Sequence, residues 1–241
     1  LGFERLFMQS WRLREKVPDL FDMTTAGRII FSVNQVGGVL KDMDEDMLSA
    51  IRSTMKAMNE ELRPIAQTFL EDASVNARLR GLGHLDKEQA LLAGAVGPML
   101  RASGIDYDAR ETGYAAYDEL NFGPITAVEG DSYARVKVRI AELFQSFELI
   151  EEIISKIPQG ELSVPVKGMP KGEAFIRIEQ PRGEAIYYTK GNGTKFLDRF
   201  RLRTPTTSNI PPMLDLLKGC QLGDVALLIL TIDPCISCTE R

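Results

Sequence analysis

The strongest periodicity in the chain lies in "DSYARVKVRIAELFQSFELIEEIISKI". Val136, Ile140, Leu143, Phe147, Ile150 and Ile154 recur there at steps of four, three, four, three and four residues. Such spacing lays one apolar stripe along an α-helix, predicted over about 131–157. The same pattern runs, less regularly, through the earlier sequence. Phe3, Leu6, Phe7, Trp11 and Leu13 predict a first helix that Pro18 should end. A second is expected over about 19–33, carrying Leu20, Met23, Ile29 and Ile30 up to the turn at Gly37 and Gly38. "DEDMLSAIRSTMKAMNEELRPIAQTFLED" predicts a long amphipathic helix with Asp44 to Asp46 at its positive N-terminal end and a break or kink at Pro64. From Gly81 to Gly130 glycines and charges interrupt the pattern, and short helices and turns are expected.

At Pro158 the period changes. "AFIRIEQ", "AIYYTKG" and "KFLDRFRLRTP" alternate or run β-branched and aromatic, separated by "PRGE" and "GNGT". These predict a three-stranded antiparallel meander between about residues 162 and 203. "PTTSNIPPMLDLLKG" returns to a capped helix, and an apolar run leads into the last residues. The fold class expected is mainly α (α+β) in one domain over 1–241. It would be helical over 1–157, with the meander inserted late and a C-terminal helix and cysteine pair over 204–241.

Composition narrows the function. The net charge of −5 supplies no basic field for nucleic acid, which is not expected as a partner. The longest apolar run, Val225 to Ile232, is far below the roughly 20 residues of a spanning helix. Three cysteines, an odd and low count, argue against a disulfide scaffold and fit a reducing compartment.

Two of those cysteines, Cys235 and Cys238, stand in "DPCISCTER". Thiolates at i and i+3 can converge on one soft metal or cluster. Spacing leaves four readings open: a zinc site completed by Cys220 and His84, a thioredoxin-like redox pair, two incidental buried thiols, or half of a metal centre completed elsewhere.

Context favours the last. "DPCISCTER" resembles the C-terminal motif of [NiFe]-hydrogenase large subunits, in particular the energy-converting, membrane-associated group related to respiratory complex I. "TAGRIIFSVNQVGGVLKDM", "GPMLRASGIDYDAR", "GDSYARVKVRIAELFQS", "EQPRGEAIYY" and "FRLRTPTTSNIPPMLDLLKG" follow one another in the order that family shows. The resemblance spans nearly the whole chain.

It implies a nickel–iron centre whose iron carries cyanide and carbon monoxide, held by two CxxC pairs. Cys235 would be a terminal nickel ligand and Cys238 a bridge between the metals. Arg182 would hang over the open position, Pro181 beside it would line the diatomic ligands, and Pro205 and Thr206 would bind a cyanide. Asp233 would pair with the arginine. The implied reaction is reversible heterolytic cleavage of dihydrogen, with the Cys235 thiolate or Arg182 taking the proton. Electrons would leave to an iron–sulfur small subunit, in a complex with integral-membrane subunits on the inner face of the cytoplasmic membrane. Each residue also has an ordinary reading, since turn arginines are commonly solvated and a proline–threonine before a helix is commonly a cap. Cys220 matches no ligand and should pack in the core, and His84 should be a loop or cap residue.

The first CxxC is absent: no cysteine precedes position 220. The chain therefore reads as the C-terminal part of such a subunit, expected by itself to hold no metal in stoichiometric amount. Arg241 stands where many hydrogenases carry a histidine on a structural metal, so that site is not expected. The complex I subunit of the same ancestry shares "PRGE" and the following arginine-rich run. It has lost the metal cysteines and serves as a quinone-cavity scaffold. Retention of both cysteines favours the hydrogenase.

Overall fold

The computed structural model describes residues 2–29 and 31–240. Ile30, expected in the second helix, and Arg241, expected to replace a metal-binding histidine, lie outside them. The residues group into two compact units, 1–72 with 144–167, and 73–143 with 168–241.

In the first unit, α1 (Glu4–Thr25) and α2 (Glu45–Glu71) pack side by side through Leu13, Met58 and Ile65. Asp44 caps α2 by accepting from the Met47 amide at 2.8 Å, with Glu45 and Asp46 in its positive first turn. Two sequence expectations change here. Pro18 does not end the first helix, and Pro64 does not end α2; both lie inside continuous helices. An interior proline costs a helix about 3 kcal/mol, and burial of Leu13 and Pro18 with the neighbouring apolar residues offsets it. α1 stops instead at Ala26, whose left-handed backbone (φ 58°) bonds back to Asp22. The second helix expected over 19–33 is therefore the last part of α1 followed by irregular chain. A minimal hairpin follows, β1 (Asn34–Gln35) with β2 (Gly38–Val39). It bonds to the stretch 162–164, where Val39 N donates to Leu162 O and Val164 N to Gly37 O. Those residues, expected to open the meander, are thus engaged elsewhere.

In the second unit, α3 (Ala73–Leu79), α4 (Lys87–Leu92) and α5 (Pro98–Arg101) are short, as the glycines foretell. α6 (Ser132–Lys156) is the predicted long helix, and its N-terminal half lies in this unit. The meander is β3 (Lys171–Gln180), β4 (Gly183–Asn192) and β5 (Leu197–Arg203), antiparallel in that order. Gln180 pairs with Gly183, so Pro181 and Arg182 alone make the β3–β4 turn. α7 (Pro205–Leu217), α8 (Val225–Ile232) and α9 (Ile236–Thr239) complete the chain. The core gathers Leu85, Ala90, Ala95, Met99, Leu100 and Ile232. Among the described residues, no helix is long and apolar enough to cross a membrane.

Candidate metal clamp

Four pieces of chain meet at the cysteines. α8 ends at Asp233, held left-handed (φ 54°, ψ 60°). One proline later Cys235 starts α9, and Cys238 lies on its single turn. Thr204 and Thr206, at the start of α7, hold that turn. The Cys235 amide donates to Thr206 Oγ1 at 3.1 Å, and Thr204 Oγ1 donates to Cys238 O at 2.8 Å. Pro205 sits between them at the first helical position, where its missing N–H costs nothing. Both threonines are buried, so the clamp rests on a rigid helix start.

The β3–β4 turn supplies the fourth piece. Arg182 Nε donates to Asp233 O at 2.6 Å and lies 3.2 Å from Asp233 Oδ2. The turn can come this close because two glycines face each other beneath it. A Cβ on Gly97 would stand 2.3 Å from Gly183 Cα and 2.6 Å from Arg182 O. Asn209, buried on α7, fastens the same spot. Its side chain accepts from Val96 N at 3.0 Å and donates to Val96 O at 3.2 Å and Arg182 O at 3.5 Å.

The two thiols are unlike. Hydrogen bonding from Ser237, then from the Cys238 backbone and thiol, pulls Cys235 down to about 7, and the Arg182 cation helps. Burial, with the bonded Cys235 beside it, pushes Cys238 up. At neutral pH Cys235 is thus the partly ionised member of a pair that shares its protons.

The arrangement brings together Arg182, Thr206, Asp233, Cys235 and Cys238, with Pro205 in the supporting helix start. Pro181 is the exposed first residue of the turn. Neither alternative donor joins them. His84 is an exposed loop residue, its Nδ1 2.9 Å from Glu129 O. Cys220 is half-buried in the loop after α7 and takes no part in the core, contrary to expectation. Gly219, left-handed at φ 76°, turns the chain out of α7 just before it. Among the described residues no three His, Cys, Asp or Glu side chains gather as a metal site. The residues brought together fit part of a thiolate-held centre: two soft sulfur donors on one turn, with the Arg182 cation beside them.

The respiratory-chain NADH dehydrogenase 49 Kd subunit family matches residues 1–169 and 165–241. The chain belongs to this family. The membrane-bound hydrogenase subunit alpha of Pyrococcus furiosus is 33% identical over 100% of the chain, and the carbon monoxide-induced hydrogenase of Rhodospirillum rubrum is 35% identical over 100%. An NADH-quinone oxidoreductase subunit of Herpetosiphon aurantiacus is 33% identical over 96%. The chain spans 61%, 68% and 65% of these three relatives. A chain of the membrane-bound sulfane sulfur reductase, an archaeal respiratory membrane complex, superposes with a TM-score of 0.90 at 31% identity. That match covers 95% of this chain and 65% of the other. The 49 Kd family thus joins oxidoreductase subunits of membrane-bound respiratory complexes.

Reading the sequence missed Asn209, Gly97 and Arg139, which reaches the Asp233 carboxylate from α6. It also missed a buried charge cluster behind the Arg182 turn. Arg101 meets Glu142 at 2.8 Å, Glu179 at 2.9 Å and Asp108 at 2.9 Å, and Arg110 meets Asp108 at 2.7 Å. Burial opposes the Arg101 charge, but the three carboxylates outweigh it and raise its pKa. The cluster holds two guanidinium groups for three carboxylates, so one acid is under-compensated. Burial, against the pull of Arg101, pushes Glu179 up to about 7. Only the paired "YDAR" and "IEQ" charges in otherwise apolar surroundings hinted at this.

Proposed function

We propose that the chain carries the C-terminal thiolate clamp of the catalytic subunit of an energy-converting [NiFe] hydrogenase, which cleaves dihydrogen reversibly. The observation that carries this reading is the cysteine pair itself, seated on one turn and tied through Asp233 to an arginine from the β3–β4 hairpin. Cys235 and Cys238 would hold a nickel–iron centre together with two further thiolates. When bound, that centre would supply the soft two-electron site for heterolysis.

The residues of this chain have the remaining work. Arg182 presents a guanidinium that Asp233 orients through both its backbone oxygen and its carboxylate. Hydrogen bonds from Ser237 and Cys238, with the Arg182 charge, favour the Cys235 thiolate, whose Sγ would be the atom of this chain that takes the proton. The Thr206 oxygen accepts from Cys235 N, which leaves its hydroxyl proton to donate toward a cyanide. Electrons would pass to an iron–sulfur partner subunit, and membrane-integral partners would hold the complex at the inner face of the cytoplasmic membrane.

A second reading is favoured by the 33% identity to the NADH-quinone oxidoreductase relative: a metal-free scaffold for a quinone site. The two separate in the purified complex. Nickel and iron in stoichiometric amount with hydrogen-dependent dye reduction are expected, and Cys235→Ser or Cys238→Ser should abolish both, because oxygen is too hard a donor for this centre. Quinone reduction without nickel, unchanged in the serine variants, would establish the scaffold instead.

A further inference from the structure

We propose that Arg139 is a positioning residue for this clamp: from α6 it holds the end of α8 and the Asp233 carboxylate, and so sets where Arg182 and Cys235 stand. Its effect on turnover rests on the hydrogenase reading; its hold on the segment does not.

The geometry is specific. Arg139 Nη2 donates to Ile232 O at 3.1 Å and reaches Thr231 O at 3.4 Å. These are among the last carbonyls of α8, which have no donor within their own helix. A cation is also favoured at that negative end. Nη1 lies 3.7 Å from Asp233 Oδ2, the oxygen that Arg182 Nε approaches at 3.2 Å. One carboxylate thus joins two guanidinium groups, one from α6 and one from the β3–β4 turn. Arg135, one helical turn earlier, grips the same helix by donating from Nε to Thr231 Oγ1 at 3.2 Å.

The placement is costly, which argues that it is not incidental surface pairing. The buried Arg139 Nε has no hydrogen-bond partner, which costs the fold free energy. Burial lowers the Arg139 pKa, the charges of Asp233 and Glu142 oppose this, and those of Arg182 and Arg101 add to it. Asp233 ends α8 in a left-handed conformation, its amide bonded back to Leu230 O, and Arg139 and Arg182 approach it there from two other elements. Only Pro234 separates it from Cys235, so any movement of Asp233 passes directly to the sulfur. Lysine could supply the charge but not the fork that reaches two carbonyls and a carboxylate together.

Hydrogen exchange read by mass spectrometry on the assembled complex tests this, following residues 233–240 and, as a control, residues 95–105 in the core. Arg139→Gln should speed exchange over 233–240 about tenfold, the loss expected for one hydrogen bond to a charged group. The control segment should be unchanged, and Arg139→Lys should restore part of the protection. In the double variant with Asp233→Asn, the acceleration should be smaller than the product of the two single effects. Unchanged exchange in Arg139→Gln, equal loosening of both segments, or effects that simply multiply would overturn the assignment. If the glutamine variant does not assemble, the same comparison is made with Arg139→Lys, where a smaller but local acceleration is expected and none would refute it. In parallel, turnover should fall with metal content and KM retained. Wild-type complex without hydrogenase activity would remove the hydrogenase reading while the exchange result still judged Arg139.

Discussion

Glu179 should make stability fall as pH rises through neutrality. It lies three residues before Arg182 on β3, with Arg101 from α5, Glu142 from α6, and Asp108, the Ala109 amide and Tyr114 from the loop between them around it. Its folded pKa is about 7 against an ordinary 4.5. A carboxyl raised on folding takes up a proton when the chain folds. Its contribution is therefore full below the unfolded value and is lost as pH climbs to the folded one. At about 1.4 kcal/mol per pKa unit, this rise is worth roughly 3 kcal/mol in all, and about 2.5 kcal/mol of it should disappear between pH 5 and pH 8. Asp108, which its Arg110 hydrogen bonds and the Arg101 charge hold low, loses its stabilising effect only under more acid conditions. Cys235 works in the opposite sense, gaining stability as pH rises past about 7. Comparison with Glu179→Gln cancels both. Urea denaturation at pH 5, 6, 7 and 8 should show the wild type losing about 2.5 kcal/mol relative to the glutamine variant. Infrared difference spectra should show a protonated carboxyl at pH 5 that the variant lacks. Parallel stability curves, or a constant difference at all four pH values, would mean that Arg101 compensates Glu179 fully and that the unequal charge count has no consequence.

Other outcomes follow from the clamp. Arg182→Lys, which cannot bond both oxygens of Asp233, should cut hydrogen turnover by at least about tenfold with nickel and iron retained in the assembled complex; metal loss in that variant would make Arg182 structural. Gly97→Ala drives a Cβ to 2.3 Å from Gly183 Cα at a residue with φ 65°. It should cost about 3 kcal/mol in chemical denaturation, and an unchanged midpoint would show that the hairpin can retreat from α5.

What could be read from the sequence alone was local. The helix expected over 131–157 and the three-stranded meander form as α6 and β3 to β5, because each depends only on neighbours within a turn or a hairpin, although Leu143 of the predicted stripe is exposed and α6 buries Val138 and Leu149. The boundaries that failed were those where tertiary packing overrode a local signal. Pro18 stayed inside α1, where it is buried with Leu13, and Pro64, itself exposed, stayed inside α2 beside the buried Ile65 and Ala66, because packing of these residues outweighed a missing hydrogen bond. Leu162 to Val164 left the meander because the β1–β2 hairpin used their backbone groups. That the two cysteines stand together was legible, since three residues and a turn suffice to bring them close, but spacing left their chemistry open. Arg182 and Asp233 could be matched only through family resemblance. What fastens them was not legible at all: Gly97 lies 86 positions from Gly183, Val96 is bonded by Asn209 across 113, and Arg139 reaches Asp233 from the far side of the meander in sequence. No local pattern records such contacts, because they exist only once the hairpin, α6 and α8 have packed together. The sequence by itself determined the long helix α6, the meander and the closeness of the two thiols; the folded chain decided the other helix ends and which charges face the thiols.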